Sequence, residues 1–358
     1  MSQLFSEIAP QSICLVRLSA IGDTCHALAV ARNLADNWPD AKITWVIGKT
    51  EASLIGDVSG VEFIIFDKPK GRAAYSEVAR QLDGRKFDVV LCMHASMRAN
   101  RLYRLIKSDL RLGFDFSRAR DFQWLFTNAR IPAKKREHAL DAMMGFARFI
   151  GARETPVRWD IPLSAADCEF AAAHVSRPTL VISPLSSQRS RNFRNWPSEH
   201  FASVARYAQE QYGYNIVLTG GNTLLEQEYG AAIAADCGAQ LVNLIGKTTL
   251  KQSLAVFKAA DLVLCPDSGP AHMATAVRTP VIGLYASSNP DRTGPYVSRE
   301  LTVNRYPDAV HKYLGKSVDQ LRWGRRVRAP DVMSLITVAD VTQKLDDFFT
   351  STAAARPR

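Results

Sequence analysis

The stretch DLVLCPDSGPAHMATAVRTPVIGLYASSNPDRTGPY, residues 261–296, decides the fold. An apolar run from Leu262 to Cys265 stops at Pro266-Asp267-Ser268-Gly269-Pro270, and Ala271 to Val277 then has helix-forming composition, with His272 in its first turn. A second apolar run, Pro280 to Tyr285, follows at once. The order is strand, tight turn, helix, strand, and in parallel sheets built this way ligands sit at the carboxyl ends of the strands. The turn Asp267 to Pro270 lies at such an end. Ser268 and Gly269 can present backbone N–H groups at a helix start, where the dipole favours an anion such as a diphosphate. Gly269 lets a phosphate or another backbone come close, Ser268 adds a hydroxyl and His272 a ring nitrogen. On the turn alone, a plainer reading in which Asp267 or Ser268 only caps the helix weighs as much.

Working outward, the same alternation precedes this unit. A strand at Thr179 to Ile182 leads to a helix over 198–211, a strand at 215–219 ending in Gly220-Gly221, a helix over 223–237, a strand at 242–245 and a helix over 250–260. The N-terminal half begins alike: a strand from Ser12 to Leu18, the turn Ser19-Ala20-Ile21-Gly22-Asp23, a helix from about Thr24 to Asn37, then strands at 43–47, 61–66 and 87–93. This is the doubly wound pattern, twice. Only Gly22 occupies the first turn, so the Gly-x-Gly-x-x-Gly fingerprint is missing and an NAD-dependent oxidoreductase is excluded. A helix over 137–150 closes the first half, and a Pro-bearing stretch from Thr155 to Ser164 with a short helix at 165–174 reads as a linker. The expected domains are 1–165 and 178–330, followed by a C-terminal segment, 331–358, with a helix over 331–349.

The chain of 358 residues is long enough for two cores, and its 47% hydrophobic content suits a globular protein. It has no run of 18 apolar residues, and the N-terminus lacks the basic and apolar regions of a secretory signal. Cys14, Cys25, Cys92, Cys168, Cys237 and Cys265 are scattered, with no CxxC spacing, so free thiols in a reducing cytosol are expected. Net charge is +10, and between Arg98 and Arg136 eight arginines and three lysines face three aspartates. Such a field suits nucleic acid, an anionic membrane surface or an acidic small molecule, against a merely solvated face. The nucleic-acid reading lacks interleaved stacking platforms, because Phe114, Phe116 and Trp124 are dispersed. A second basic knot, Arg322 to Arg328, has no evident role in the sequence.

PDSGPAHMA followed by PVIGLYASSNPDRTGPY closely resembles the C-terminal signature of glycosyltransferase family 9, the heptosyltransferases of bacterial lipopolysaccharide assembly. LVRLSAIGDTCHALA resembles the family's N-terminal motif, in which a Gly-Asp after the first strand supplies the catalytic carboxylate; the matching residue is Asp23. SSQRSRNFRNWP resembles the segment in which a basic residue precedes an aromatic-Pro pair, which marks Arg194. Thr219-Gly220-Gly221 with Glu226 and Glu228 resembles the part that holds the nucleoside ribose, with either glutamate eligible. The likeness covers about residues 12–296. It departs from the family in having Arg194 where Lys is common, in a longer and more basic loop from Ser186 to Phe193, and in the loosely matched region 68–136.

The resemblance implies an α/β protein of GT-B architecture, two Rossmann-like domains facing across a cleft, whose last helix returns to the first domain. It implies a donor side of Ser186, Ser187, Arg194, Gly220, Glu226, Thr248, Asp267, Ser268, Gly269 and His272. For the acceptor side, the order of residues after the strands places Gly22, Lys68, Arg72, Arg98, Arg101 and Arg120 at one sheet edge. The donor would be ADP-heptose, with no other cofactor, and the acceptor the Kdo-lipid A inner core at the inner face of a Gram-negative cytoplasmic membrane. The acidic groups of that acceptor would account for the arginine-rich stretch, and no nucleic acid is expected as partner. A family member using another nucleotide sugar on a different acidic glycan is the alternative.

The chemistry can also be argued from the residues. Glycosyl transfer needs a base for the acceptor hydroxyl and a holder for the departing diphosphate. No Asp-x-Asp cluster lies near the turns, so Ser268, Gly269, His272 and Arg194 are the available donors and cations, and a metal-free reaction is expected. Asp23 would deprotonate the acceptor for attack with inversion through an oxocarbenium-like state, where its plain alternative is a helix N-cap. Cys25 and His26 suggest a nucleophile, but no third orienting group can be named and both fall in an apolar helix start.

Overall fold

A computed structural model describes residue 5 and residues 9–186, 192–237 and 241–355. The chain divides into two compact units, Met1–Pro162 and Leu163–Arg358. In the first, the strands are β1 (Ser12–Val16), β2 (Lys42–Gly48), β3 (Val61–Phe66), β4 (Lys86–Phe87), β5 (Val89–Leu91), β6 (Lys107–Ser108), β7 (Arg111–Gly113) and β8 (Ala129–Arg130). The helices are α1 (Ile21–Asn37), α2 (Lys49–Ile55), α3 (Arg72–Gln81), α4 (Met97–Tyr103) and α5 (Ala139–Ile150). The second unit holds β9 (Thr179–Ile182), β10 (Asn215–Leu218), β11 (Leu241–Asn243), β12 (Leu262–Pro266), β13 (Val281–Tyr285) and β14 (Val303–Asn304). Its helices are α6 (Ala165–His174), α7 (Ser198–Tyr212), α8 (Leu224–Cys237), α9 (Leu250–Ala259), α10 (Gly269–Ala276), α11 (Pro290–Thr293), α12 (Tyr306–Leu314) and α13 (Val338–Ala355).

Each unit contains a six-stranded parallel sheet, ordered β3-β2-β1-β5-β7-β8 in the first and β11-β10-β9-β12-β13-β14 in the second. Both start in the middle, wind one way, and return to wind the other. The strand order therefore reverses between β1 and β5 and between β9 and β12, where Leu15 pairs with Leu91 and Ile182 with Leu264. A crevice opens outside the carboxyl ends at such a reversal, which fixes where each unit can hold a ligand. The central strands of the second sheet, β9, β12 and β13, are buried throughout, as expected where helices cover both faces.

Several boundaries differ from expectation for identifiable reasons. The fourth strand is split at Asp88, whose carboxylate accepts from the backbone N–H groups of Gln11 and Ser12 at 2.7 and 2.9 Å. β4 consequently pairs with β6 in a separate two-stranded sheet while β5 joins the main one. α1 starts at Ile21, so Gly22 and Asp23 lie inside the helix and not in the turn before it. Helix α6, read as part of a linker, packs on α9 in the second unit. The C-terminal helix α13, expected to return to the first domain, packs on α7 within the second unit. Val341 and Leu345 are fully buried there, Tyr207 and Tyr212 both donate to Asp346, and Phe349 stacks on Tyr212. That apolar face is used within its own unit.

All six cysteines are free, four of them buried. Among the described residues no helix is long and apolar enough to cross a membrane.

Candidate active site

In the first unit the reversal point is built around Arg17, just past β1. Its guanidinium pairs with the Asp23 carboxylate and donates to the Met93 carbonyl, just past β5, at 2.7 Å. Strand ends that adjoin in the sheet are thus tied together by the group that holds Asp23. His94 adds a second tie: its Nδ1 accepts from the Leu18 N–H at 3.2 Å, so the ring proton resides on Nε2. Burial, then the neighbouring Arg17 charge, depresses the His94 pKa to about 4 and keeps the ring neutral. Tyr103 fixes the turn by donating to the His94 carbonyl at 2.6 Å.

Asp23 is not the helix cap. The N-cap is Ala20, which makes no side-chain cap bond, and Asp23 sits in the first turn, where the dipole favours its negative charge. Its side chain is 41% exposed, against 12% for Arg17, so a carboxylate is available to solvent on a buried cation. Cys25 and His26 are buried in α1, and burial pushes the Cys25 thiol up to about 12. A thiol held protonated is no nucleophile, in line with the sequence reading.

In the second unit the corresponding point carries Asp267, directly after β12 and 4% exposed. Arg194 donates through one nitrogen to the Asp267 carbonyl at 2.7 Å and its carboxylate at 3.3 Å, and through Nε to Asn192 at 3.1 Å. The Ser288 hydroxyl donates to the same carboxylate at 2.7 Å. Ser268 is the N-cap of α10 by backbone, yet its hydroxyl turns back to the Pro266 carbonyl at 3.0 Å. Neither Asp267 nor Ser268 caps α10 with its side chain, which removes the plainer reading of this turn and leaves its first amides to other partners. His272 lies in the first turn, 8% exposed.

One functional group was missed by the sequence reading: the knot at 322–328 brings Arg326 to Asp267. The Val327 N–H donates to the Ser287 carbonyl at 2.9 Å and the Ser287 hydroxyl to the Val327 carbonyl at 2.8 Å, clamping the segment beside the end of β13. The Arg326 guanidinium then stands 4.0 Å from the Asp267 carboxylate. Burial, then the nearby Arg194 charge, lowers the Arg326 pKa, and Arg292 and Arg328 add to this. Two arginines, Arg194 and Arg326, therefore share one aspartate, with Arg292 and Arg328 near Arg326, an arrangement that leaves excess positive charge for an anion. The only signal in sequence was the density of arginines itself.

The other donor-side residues occupy loops that leave the same carboxyl edge. Ser186, after β9, is bonded to Asn192 and Asn195. Ser187 lies outside the described residues. Gly220 follows β10, and Glu226 folds back on its loop, accepting from the Gly221 N–H at 2.7 Å and the Thr223 hydroxyl at 2.5 Å. Glu226 thus shapes the loop, while Glu228 is exposed further along α8. Thr248, after β11, bonds Ser253 at 2.8 Å. Among the described residues no three His, Cys, Asp or Glu side chains converge to hold a metal ion.

On the acceptor side Gly22 is buried in α1, Lys68 and Arg72 are exposed after β3, Arg98 and Arg101 ride on α4, and Arg120 is exposed in the loop after β7. Not all of the arginine run faces a ligand. Arg118 is held by Asp115 and Glu137, Arg104 stacks over Phe126 and Arg130 over Phe116.

Two Rossmann-like units, one presenting a carboxylate and the other a cation-ringed helix start, define a glycosyltransferase of the GT-B fold class. The comparisons agree. A model of "Glycosyltransferase family 9 (heptosyltransferase)" matches residues 75–316. The lipopolysaccharide core heptosyltransferase OpsX of Haemophilus influenzae is 39% identical over 340 residues, covering 94% of this chain and 96% of that protein. The structure of a family 9 glycosyl transferase from Veillonella parvula superposes with a TM-score of 0.76 at 21% identity, covering 95% of this chain and 97% of that one. E. coli heptosyltransferase WaaC with ADP gives 0.71 at 20%, covering 94% and 99%. The chain belongs to glycosyltransferase family 9, the heptosyltransferases.

Proposed function

We propose that this enzyme transfers a heptose from ADP-heptose to the Kdo-lipid A inner core of lipopolysaccharide, with inversion and without a metal ion, at the inner face of the cytoplasmic membrane. Asp23 takes the proton of the acceptor hydroxyl as that oxygen attacks the anomeric carbon; the bond to the diphosphate breaks and ADP departs. The amides at the start of α10, with His272, Arg194 and Arg326, receive the charge that grows on the diphosphate. Lys68, Arg72, Arg98, Arg101 and Arg120 meet the acidic groups of the acceptor. The observation that carries the reading is Asp23 itself: a half-exposed carboxylate at a sheet reversal, held by a buried arginine and not used as a cap. The 39% identity to a lipopolysaccharide core heptosyltransferase favours this donor and acceptor over another nucleotide sugar on a different glycan. The test is a mass-spectrometric transfer screen of purified enzyme with ADP-, UDP- and GDP-sugars and lipid A precursors. Product from ADP-heptose and a Kdo-bearing precursor is expected; product only from a UDP- or GDP-sugar rejects the donor assignment.

A further inference from the structure

Beside Asp23's strand reversal, the first unit carries an apolar surface that its core does not use. Met97, Phe122, Trp124 and Leu125 are 37%, 61%, 41% and 62% exposed. They are held close together by polar bonds beneath them. Asp121 accepts from the Met97 N–H at 3.0 Å, and the Asp121 carbonyl accepts from the Asn100 side chain at 2.6 Å, which fastens the loop to the start of α4. Gln123, fully buried, donates to the Cys92 carbonyl at 2.7 Å at the end of β5. In the short 3-10 turn from Gln123 to Leu125, driving Gln123 inward leaves Trp124 and Leu125 outward.

Two further observations say what this surface meets. Asp121 and Phe122 both have left-handed backbone, φ of 50° and 58°, a costly conformation for a phenylalanine and one that persists only where the surroundings impose it. Here it presents an aromatic ring to solvent. The rim is cationic: Arg98 and Arg101 lie on α4, Arg104 directly after it and Arg120 in the same loop, and among the described residues no carboxylate pairs with any of them. Exposed aromatics ringed by arginine suit an anionic bilayer interface, where the rings enter the headgroup layer and the guanidiniums meet phosphates.

We infer that Phe122, Trp124 and Leu125, with Met97, form a membrane-docking loop that enters an anionic lipid surface and sets the Asp23 edge of the first unit against it. Gln123 couples the loop to the end of β5, which Arg17 ties to Asp23, and Asn100 couples it to α4. The loop thus serves an acceptor carried in lipid, and in that respect the inference rests on the proposed function; docking itself needs no substrate.

The test uses the full chain and vesicles without acceptor. Flotation with phosphatidylglycerol–phosphatidylcholine vesicles is expected to recover the wild type, and Phe122→Ser/Leu125→Ser to lower binding about tenfold. Tryptophan emission should shift to the blue and be quenched by brominated acyl chains, and Trp124→Phe should remove that response. Thermal unfolding of the variants should be unchanged, as the altered side chains are exposed. Equal vesicle binding by wild type and Phe122→Ser/Leu125→Ser, or quenching that survives Trp124→Phe, overturns the inference. Transfer to a deacylated, water-soluble acceptor should be the same in wild type and Phe122→Ser/Leu125→Ser. Absence of that transfer in the wild type, with docking intact, counts against the proposed function and not against the loop.

Discussion

Arg17 pairs with Asp23 while donating to the Met93 carbonyl at 2.7 Å, so one buried guanidinium joins the ends of adjacent strands to the candidate base. The pair is asymmetric: the cation is anchored inside and the carboxylate is half in water. An anchored cation fixes the orientation of the carboxylate, which a general base needs.

Removing that cation should therefore act on Asp23 before it acts on the fold. Arg17→Met is expected to lower kcat about 10- to 100-fold with KM little changed, because the carboxylate is no longer held in place. Arg17→Lys should lose less of the rate, since an ammonium keeps the charge but cannot fork to both partners. Steady-state kinetics and thermal unfolding of the three proteins check this; a rate loss in Arg17→Met that only follows a loss of folded protein would assign Arg17 to structure alone.

The cluster around Asp267 makes a separate prediction for the leaving group. Arg194→Ala and Arg326→Gln should each weaken ADP binding by about 10- to 100-fold, the range expected for losing a charge-assisted contact, and should weaken adenosine binding far less. Arg322→Gln, which removes the same charge from an exposed position in the knot, should have little effect. Calorimetric titration with ADP, AMP and adenosine separates a diphosphate contact from a general field.

His94 supplies a pH-dependent stability term with a definite sign. The folded pKa of about 4 lies below the ordinary value of 6.5, so between those limits the unfolded chain binds the extra proton and the native state is penalised as pH falls. From pH 7 down to 4 the wild type should lose up to about 3 kcal/mol more stability than His94→Asn, whose amide oxygen can still accept from Leu18. Above pH 7 the term is absent. Thermal unfolding of both proteins across this range measures the difference.

Trp196, beside Arg194, has a structural task. Fully buried, it donates to the Ile336 carbonyl at 2.9 Å and packs edge-on against Phe201. Trp196→Ala should cost about 3–5 kcal/mol and lower the unfolding midpoint of the second unit. Part of the ADP affinity should go with it, since Trp196 seats the segment that carries Arg194.

Much of this was legible from local pattern. The run Leu262–Cys265 reads as a strand because it is apolar throughout, and the structure ends that strand one residue later, at Pro266. Asp23 and Arg194 were singled out because short motifs mark them. What escaped was set by distance along the chain or by very short elements. Arg326 reaches Asp267 only because Ser287 and Val327 pair, which no local pattern records. β7 and β8, three and two residues long, are too short for periodicity to show. Arg118 belongs by composition to the acceptor field, yet its partner Glu137 lies in a different segment and makes it structural. Glu226 fits a ribose by motif and closes its own loop by geometry.

The most direct test is single-turnover transfer from ADP-heptose to a Kdo-bearing acceptor by wild type and Asp23→Ala, with ADP affinity measured on the same preparations. The account predicts that transfer by Asp23→Ala is lost, by about 100-fold or more, while its ADP affinity stays within about twofold of wild type. Turnover by Asp23→Ala at the wild-type rate would contradict it.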